Sequence, residues 1–99
     1  MKIRFLTLAE DEVHDAVLWY NERVDGLGRE FLDALDTAVR LVITYPQASA
    51  EIELEIRRCL FARFPYSLIY GIDEETIVVI AVAHLHREPR YWADRIDQI

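Results

Sequence analysis

The segment from Thr76 to His84 limits most strongly what this chain can fold into. It is an almost unbroken run of Ile, Val and Ala, with an acidic turn sequence before it and a proline a few residues after it. Such a run is typical of a β-strand covered on both faces, because a half-exposed strand alternates apolar with polar side chains. The sequence therefore predicts a buried strand here, with other parts of the chain on each side of it.

Two strands are predicted just before this run. Residues 51–60 begin with strict alternation of charged and apolar side chains, which indicates a half-exposed strand. After a turn at 62–64, another strand is predicted over residues 66–72. Pro65 is placed at its start, where a missing backbone amide does least harm. Short turns make these consecutive strands antiparallel neighbours.

The first half of the chain contains a short strand and two helices. Residues 3–7 are predicted as the strand, and Thr7-Leu8-Ala9-Glu10 has the form of a capping box at the start of a helix over residues 8–23. Two glycines break that helix, and a second helix is predicted from Arg29 to Tyr45. The side chains at helical spacing that should face inward are Val13, Ala16, Val17, Tyr20, Phe31, Leu35, Ala38, Val42 and Tyr45.

The chain should end in a short helix over residues 90–99, which gives the element order β-α-α-β-β-β-α. The short connection makes the two long helices an antiparallel hairpin. This order predicts an α+β fold in which the hairpin packs on a mainly antiparallel four-stranded sheet, with the first strand at an edge. A length of 99 residues suits one domain, residues 1–99.

Charge is distributed unevenly along the chain. The net charge of −7 argues against a partner rich in phosphate. Residues 10–40 contain nine acidic side chains and three Arg, and this acidic part, including Glu12, is most simply a solvated helical face. Residues 57–95 contain six Arg and five acidic side chains. The C-terminal half is therefore the part predicted to contact a polar or negatively charged partner.

Several kinds of site are not indicated. Cys59 is the only cysteine, so it forms no internal disulfide, which suits a cytoplasmic location, and it is expected to be a small buried residue. His84 and His86 could share a metal only with a third ligand, and Glu88 is the only one nearby. We predict no metal and no cofactor. No apolar stretch is long enough to span a bilayer, and neither a phosphate loop nor a nucleophile elbow is present.

The clearest sign of a binding surface is the set of Arg and aromatic residues near the predicted turns of the C-terminal half. Arg beside Tyr and Trp is the pairing most enriched among residues that dominate binding energy at interfaces. Phe64, Tyr66 and Tyr70 alternate on one strand face and are expected to be core. The residues predicted to contact a target are Arg63, Arg87, Arg90, Tyr91 and Trp92.

Two segments of the C-terminal half carry a specific pattern. They are RFPYSLIY (residues 63–70) and TIVVIAVAHLHREPRYW (residues 76–92). Together they resemble the RelE/ParE superfamily of bacterial type II toxins, in its ParE-like branch. There an F-P-Y-x-[ILV]-x-Y strand precedes a central apolar strand ending in A-x-x-H-x-x-R-x-P and a Trp. The upstream segments LWYNER and GLGREFLDALD are also similar to that branch. The motif positions that the resemblance marks as structural are Phe64, Pro65, Tyr66, Tyr70, His84 and Pro89.

The resemblance implies a toxin neutralised by a small cognate antitoxin, ParD-like or similar, whose C-terminal segment folds onto the helical hairpin and the adjoining sheet. ParE-like members are inhibitors of DNA gyrase that trap it on cleaved DNA without being enzymes, so a binding face is sufficient. DNA gyrase is the implied target, without sequence-specific DNA binding by the toxin itself. A homodimer and a toxin–antitoxin hetero-oligomer both stay open.

Two alternatives remain. RelE-like members are similar in fold but cut messenger RNA on the ribosome, with Lys and Arg on the second strand, Arg on the third and after the fourth, and a Tyr near the C-terminus. Here Ser67 stands at the third-strand position and Leu85 lies near the later one. Only Tyr91, with Arg57 or Arg58, matches that set, so an mRNA endonuclease is the second hypothesis. The third is a non-toxic protein-binding module.

Overall fold

The computed structural model describes all residues from Met1 to Ile99, and its strands form a single sheet of order β1-β5-β4-β3-β2. Only β1 and β5 are parallel to each other, and every other neighbouring pair is antiparallel. This confirms the predicted α+β class. The elements are β1 (Lys2–Phe5), α1 (Thr7–Arg23), α2 (Leu27–Thr44), β2 (Ala50–Glu53), β3 (Ile56–Leu60), β4 (Tyr66–Asp73), β5 (Thr76–His84) and a C-terminal 3₁₀ helix (Ala93–Gln98).

The sheet has five strands instead of four because residues 51–60 form a hairpin. The chain reverses at Leu54 and Glu55, and Glu55 takes a left-handed backbone conformation with φ 63°. The Glu55 amide donates a hydrogen bond of 3.0 Å to the Glu51 carboxylate, and this contact stabilises the turn. A tight turn leaves the alternation of side chains unbroken, so the sequence pattern does not indicate where the strand reverses.

The apolar run forms β5, and residues 77–83 are all buried. On one face of the sheet the helical hairpin covers it, in a core that includes Phe31 and Tyr70. On the other face the C-terminal segment covers it, in a second core built around Trp92 and Ile80. The prediction of a strand covered on both faces is confirmed.

Helix α1 begins at Thr7, and the predicted capping box does not form. Leu6 precedes the helix, and its carbonyl accepts hydrogen bonds from the amides of Ala9 at 2.9 Å and Glu10 at 3.0 Å. The Leu6 amide still donates to the Val79 carbonyl at 2.9 Å, so the strand hydrogen bonding continues directly into the helix. Leu6 is the only residue between the two elements, and its apolar side chain cannot cap the helix, while Thr7 lies inside the first turn.

The predicted inner faces of the helices are confirmed except at Tyr45. Helix α2 ends at Thr44, and Tyr45 leaves the helical spacing with φ −131°, which leaves its side chain 61% exposed. The buried members are Ala16, Tyr20, Phe31, Ala38 and Val42, and the partly buried ones that pack against them are Val13, Val17 and Leu35.

The two glycines between the helices have different roles. Gly26 has φ +84°, in the region that L side chains rarely adopt, and it ends the connection from α1. Gly28 lies in the first turn of α2, and its amide donates to Asn21 Oδ1 at 2.8 Å. A Cβ at Gly28 would lie 2.7 Å from the Asn21 amide nitrogen, so a larger residue there would displace the Asn21 side chain and disturb this hydrogen bond.

The C-terminal segment is a 3₁₀ helix of six residues, shorter than the predicted helix over residues 90–99. Arg90 has φ 58°, which separates the helix from the preceding loop. Trp92, Ile96 and Ile99 face inward as predicted. None of the helices has the length and apolar character needed to cross a membrane.

Candidate functional site

A groove of about 290 Å³ lies on the face of the sheet that the helical hairpin does not cover. It forms where the loop after β5 passes over the ends of β3, β4 and β5, so residues distant in the sequence meet there. Ser67 and Ala83 lie on the sheet at its base. We call it the C-terminal groove, and its polar lining residues include Glu53, Arg58, Ser67, Arg87, Glu88 and Arg90.

Arg90 connects the loop to the edge of the sheet at one rim of the C-terminal groove. Its Nε lies 2.7 Å from Oε1 of Glu53, and its Nη2 lies 3.2 Å from Oε2, which makes the contact bidentate. The hydrogen bond from Arg90 holds the pKa of the Glu53 carboxyl below its ordinary value. Both side chains face solvent, so this pair orients Arg90 more than it stabilises the fold.

Arg87 is held differently, by an aromatic ring. Its guanidinium carbon lies 3.9 Å from the centroid of the Tyr91 ring, and Arg95 lies 5.3 Å from the same ring. A guanidinium above an aromatic face is attracted by the negative charge density of the ring. The stacking places Arg87 without using its N–H donors.

Behind Tyr91 lies a buried polar cluster that includes Glu12, on helix α1. The Tyr91 hydroxyl donates to Glu12 Oε2 at 2.7 Å, and Arg95 contacts the same carboxylate at 3.0 and 3.2 Å. The Val82 amide donates to Glu12 Oε1 at 3.0 Å, and Arg95 donates to the Ile80 carbonyl at 3.0 Å. Burial, and then the hydrogen bond to Glu12, raise the pKa of Tyr91 far above its ordinary value. The phenol therefore stays protonated at neutral pH.

The assignment of Glu12 to a solvated helical face is wrong. Strand β1 ends at Phe5, so the backbone of β5 from Ile80 onward has no strand neighbour on that side. Glu12 and Arg95 supply the missing hydrogen bonds, and their side chains are only 15% and 11% exposed. One sequence signal could have found this cluster: Arg95 lies three residues after Trp92, on the inward side of the C-terminal segment.

The five predicted contact residues do not form one surface. Arg87, Arg90 and Tyr91 line the C-terminal groove. Arg63 lies on the helical side, where its Nη2 is 2.6 Å from Glu30 Oε1 on α2. Trp92 borders the groove but is only 5% exposed, because its side chain packs in the second core. The structure thus gives Trp92 a packing role.

The family-motif residues lie around β4 and the end of β5. Phe64 and Tyr70 are buried in the core beneath the hairpin, and the Tyr70 hydroxyl donates to the Pro46 carbonyl at 2.7 Å. Tyr66 is partly buried against the same core. Pro65 immediately precedes β4, and its carbonyl accepts the Leu85 amide at 2.9 Å.

The His84 ring packs against the Tyr66 ring in an edge-to-face arrangement, with ring centroids 5.1 Å apart. Its Nδ1 accepts a hydrogen bond from the His86 amide at 3.0 Å. The His84 and His86 rings are 5.1 Å apart, and no group of three His, Cys, Asp or Glu side chains in the chain could hold a metal ion. Pro89 lines the C-terminal groove. Cys59 is buried, as predicted.

A second groove, of about 430 Å³, lies on the helical side between α1, α2 and the end of β1. Its lining is mainly apolar, with Glu10 and His14 as the polar members. We call it the hairpin groove, and its apolar lining residues are Phe5, Val13, Val17, Leu32 and Leu35.

The helical hairpin covers one face of the sheet and the C-terminal segment covers the other. A solved structure described as the chromosomal ParDE toxin–antitoxin system from P. aeruginosa contains a chain of this fold, with a TM-score of 0.65. The match covers 87% of this chain and 97% of that chain at 14% sequence identity, so it shows the fold alone.

The family model for the ParE toxin of the type II toxin–antitoxin system, parDE, matches residues 3–89. The chain belongs to this family, which confirms the resemblance drawn from residues 63–70 and 76–92. No curated protein matches the sequence. The chain is therefore a ParE-type toxin of a type II toxin–antitoxin system, and membership of such a system implies an antitoxin partner.

Proposed function

We propose that this toxin arrests growth by inhibiting DNA gyrase, and that a cognate antitoxin neutralises it by covering the helical hairpin. Residues 1–99 act as one toxin domain, and the cytoplasm is the place of action. The observation that carries the proposal is that the base of the C-terminal groove holds Ser67 where an RNA-cleaving member would place an Arg, while the Tyr91 hydroxyl is bound to Glu12.

RNA cleavage by an internal 2′-OH needs cations at the phosphate and groups that move protons. The sheet at the base of the C-terminal groove presents Ser67 and Ala83, which are both neutral. The hydroxyl of Tyr91 is committed to Glu12, and the raised pKa of Tyr91 opposes its use as a base. These features favour a toxin that binds its target over one that cleaves RNA.

The hairpin groove supports the proposed antitoxin site. An apolar groove between two helices suits the apolar side chains of a segment that folds on binding. Glu10 lines the groove, and Asp11 and Asp15 are exposed on the same helix without an ion pair. The antitoxin segment is therefore expected to carry Lys or Arg near its apolar residues.

The rate at which toxin and antitoxin associate should fall by roughly tenfold between low and physiological ionic strength, since salt screens the attraction that steers the two chains together. Stopped-flow measurements at several salt concentrations test this. A rate that is independent of salt would remove the electrostatic part of the proposed antitoxin site.

The target is tested by pulse labelling of DNA, RNA and protein synthesis just after the toxin is induced without antitoxin in a bacterial host. An early stop in DNA synthesis supports gyrase inhibition, and purified topoisomerases are then the next substrates to assay. If protein synthesis stops first, the ribosome-dependent mRNA endonuclease becomes the better-supported function in place of gyrase inhibition. If neither stops while folded protein accumulates, the chain is a binding module in that host.

Arg87→Ala should abolish growth inhibition while the free energy of unfolding and antitoxin binding stay within error of the wild type. Arg87 is exposed, and its guanidinium stacks on the Tyr91 ring without a hydrogen bond or an ion pair, so its removal leaves no buried group unpaired. Growth after induction, urea unfolding and antitoxin binding are measured together. Arg40→Ala is the matched control, because Arg40 is an exposed Arg on α2 paired only with Asp36. Full toxicity of the Arg87 variant would exclude Arg87 from the target surface.

A further inference from the structure

Two arginines differ from all the others in having no oxygen partner. The chain has ten Arg, and only the guanidinium groups of Arg58 and Arg87 form neither a hydrogen bond nor an ion pair. Both line the C-terminal groove, Arg58 from β3 and Arg87 from the loop after β5. In a chain with 18 acidic residues and a net charge of −7, two unpaired guanidinium groups in one groove indicate a site for an external anion.

The donors of these two arginines are available without breaking an internal contact. Each guanidinium carries five N–H donors in a rigid fork that matches the two oxygens of a carboxylate. The Tyr91 ring fixes the position of Arg87 and leaves those donors unused. Arg90 is different, because Glu53 already occupies its fork.

We propose that the C-terminal groove binds a carboxylate side chain of the protein target, held between Arg58 and Arg87. This rests on the proposed function, since it assigns a binding chemistry to the same toxin surface. Arg58 thereby becomes a contact residue, although the sequence did not place it among the target-binding candidates. The bond type is a charge-assisted, bidentate hydrogen bond of the kind that Arg forms with carboxylates.

The charges around the groove favour a protein over a nucleic acid as the source of the anion. A nucleic acid strand carries one negative charge about every 3.4 Å, so phosphates would lie on either side of the bound one. Glu88 lines the same groove without an ion pair, and Glu53 lies at its rim. A protein segment can present one acidic residue to the two Arg and a neutral or basic residue to Glu88. The apolar lining residues Ile52 and Leu85 also suit side chains of a peptide.

The test measures binding of the full chain to intact purified DNA gyrase in the absence of DNA, by biolayer interferometry. Four single variants are compared: Arg58→Ala, Arg87→Ala, Arg58→Lys and Arg87→Lys. Arg40→Ala is the control. Each alanine variant should weaken binding by at least about tenfold, and the control by less than about twofold. Each lysine variant should fall between the wild type and alanine, since it keeps the charge but loses the fork. A parallel titration uses single-stranded and double-stranded oligonucleotides alone.

If Arg58→Ala and Arg87→Ala bound gyrase as tightly as the wild type does, the inference would be overturned and the proposed function left intact. Comparable binding of the wild type to an oligonucleotide, lost in both variants, would also overturn it and identify phosphate as the ligand. If the wild type does not bind gyrase, the proposed target is wrong. Growth inhibition by the same variants then tests whether the C-terminal groove contacts a different target. Folded variants that have lost toxicity would then support a carboxylate contact with another protein, and fully toxic ones would refute it.

Discussion

Glu12→Ala is expected to lower the free energy of unfolding by about 3 kcal/mol, because it leaves the guanidinium of Arg95 buried without its carboxylate. Two further groups lose their acceptor, the Val82 amide and the Tyr91 hydroxyl. This expected loss is at the lower end of what breaking a buried ion pair costs, because the Glu12 and Arg95 side chains are still 15% and 11% exposed. For a chain of this size the melting temperature should fall by roughly 15 °C, measured by thermal and urea unfolding.

The control for this prediction is Asp11→Ala, the neighbouring carboxylate on α1, which is exposed and has no partner. Its effect should stay within about 0.5 kcal/mol. Glu12→Gln should be intermediate, because the amide oxygen can still accept a hydrogen bond while the charge of Arg95 stays uncompensated. If Glu12→Ala were as stable as Asp11→Ala, the buried cluster would contribute nothing to stability.

Trp92→Ala is expected to lower the free energy of unfolding by about 3–5 kcal/mol, since it removes the largest side chain of the second core and leaves a cavity. Trp92 is 5% exposed and belongs to the core that contains Val78 and Ile80. Urea unfolding followed by far-ultraviolet circular dichroism measures the change without depending on tryptophan fluorescence. If stability falls by this amount, a loss of toxicity in this variant reports loss of fold and says nothing about target contact.

The chain contains a matched control, because its other tryptophan lies at the surface. Trp19 is 49% exposed, and its ring is covered by the guanidinium of Arg23 at 3.4 Å. Trp19→Ala should therefore lower stability by about 1 kcal/mol or less. Trp92→Phe keeps an aromatic ring in the core and should cost less than Trp92→Ala. If Trp92→Ala kept its stability and lost toxicity, Trp92 would belong to the contact surface after all.

The two faces of the molecule are physically connected through Glu12. Helix α1 contributes to the hairpin groove on one side, and its Glu12 carboxylate holds Tyr91 on the other. Tyr91 in turn places Arg87 in the C-terminal groove. The geometry of the proposed target surface therefore depends on a residue of the helix that forms part of the proposed antitoxin site.

Local patterns were sufficient for most of the fold. The apolar run of β5, the helical spacing of Phe31, Ala38 and Val42, and the glycines between the helices each act on residues near them in the chain. Predictions were wrong where local signals agree with more than one structure. Alternation in residues 51–60 is the same for one strand and for a tight hairpin, and a capping-box sequence at Thr7 does not reveal that a strand continues up to it.

The sequence by itself determined the α+β class and the toxin family, because periodicity and the motifs at residues 63–70 and 76–92 are carried by contiguous residues. Only the tertiary structure decided which polar and aromatic side chains are buried, paired or free. Glu12 meets Arg95 across 83 positions of sequence, and Arg90 meets Glu53 across 37. Whether a charge is neutralised depends on what the fold brings within a few ångströms of it. For that reason the unpaired pair Arg58 and Arg87 is visible only in three dimensions.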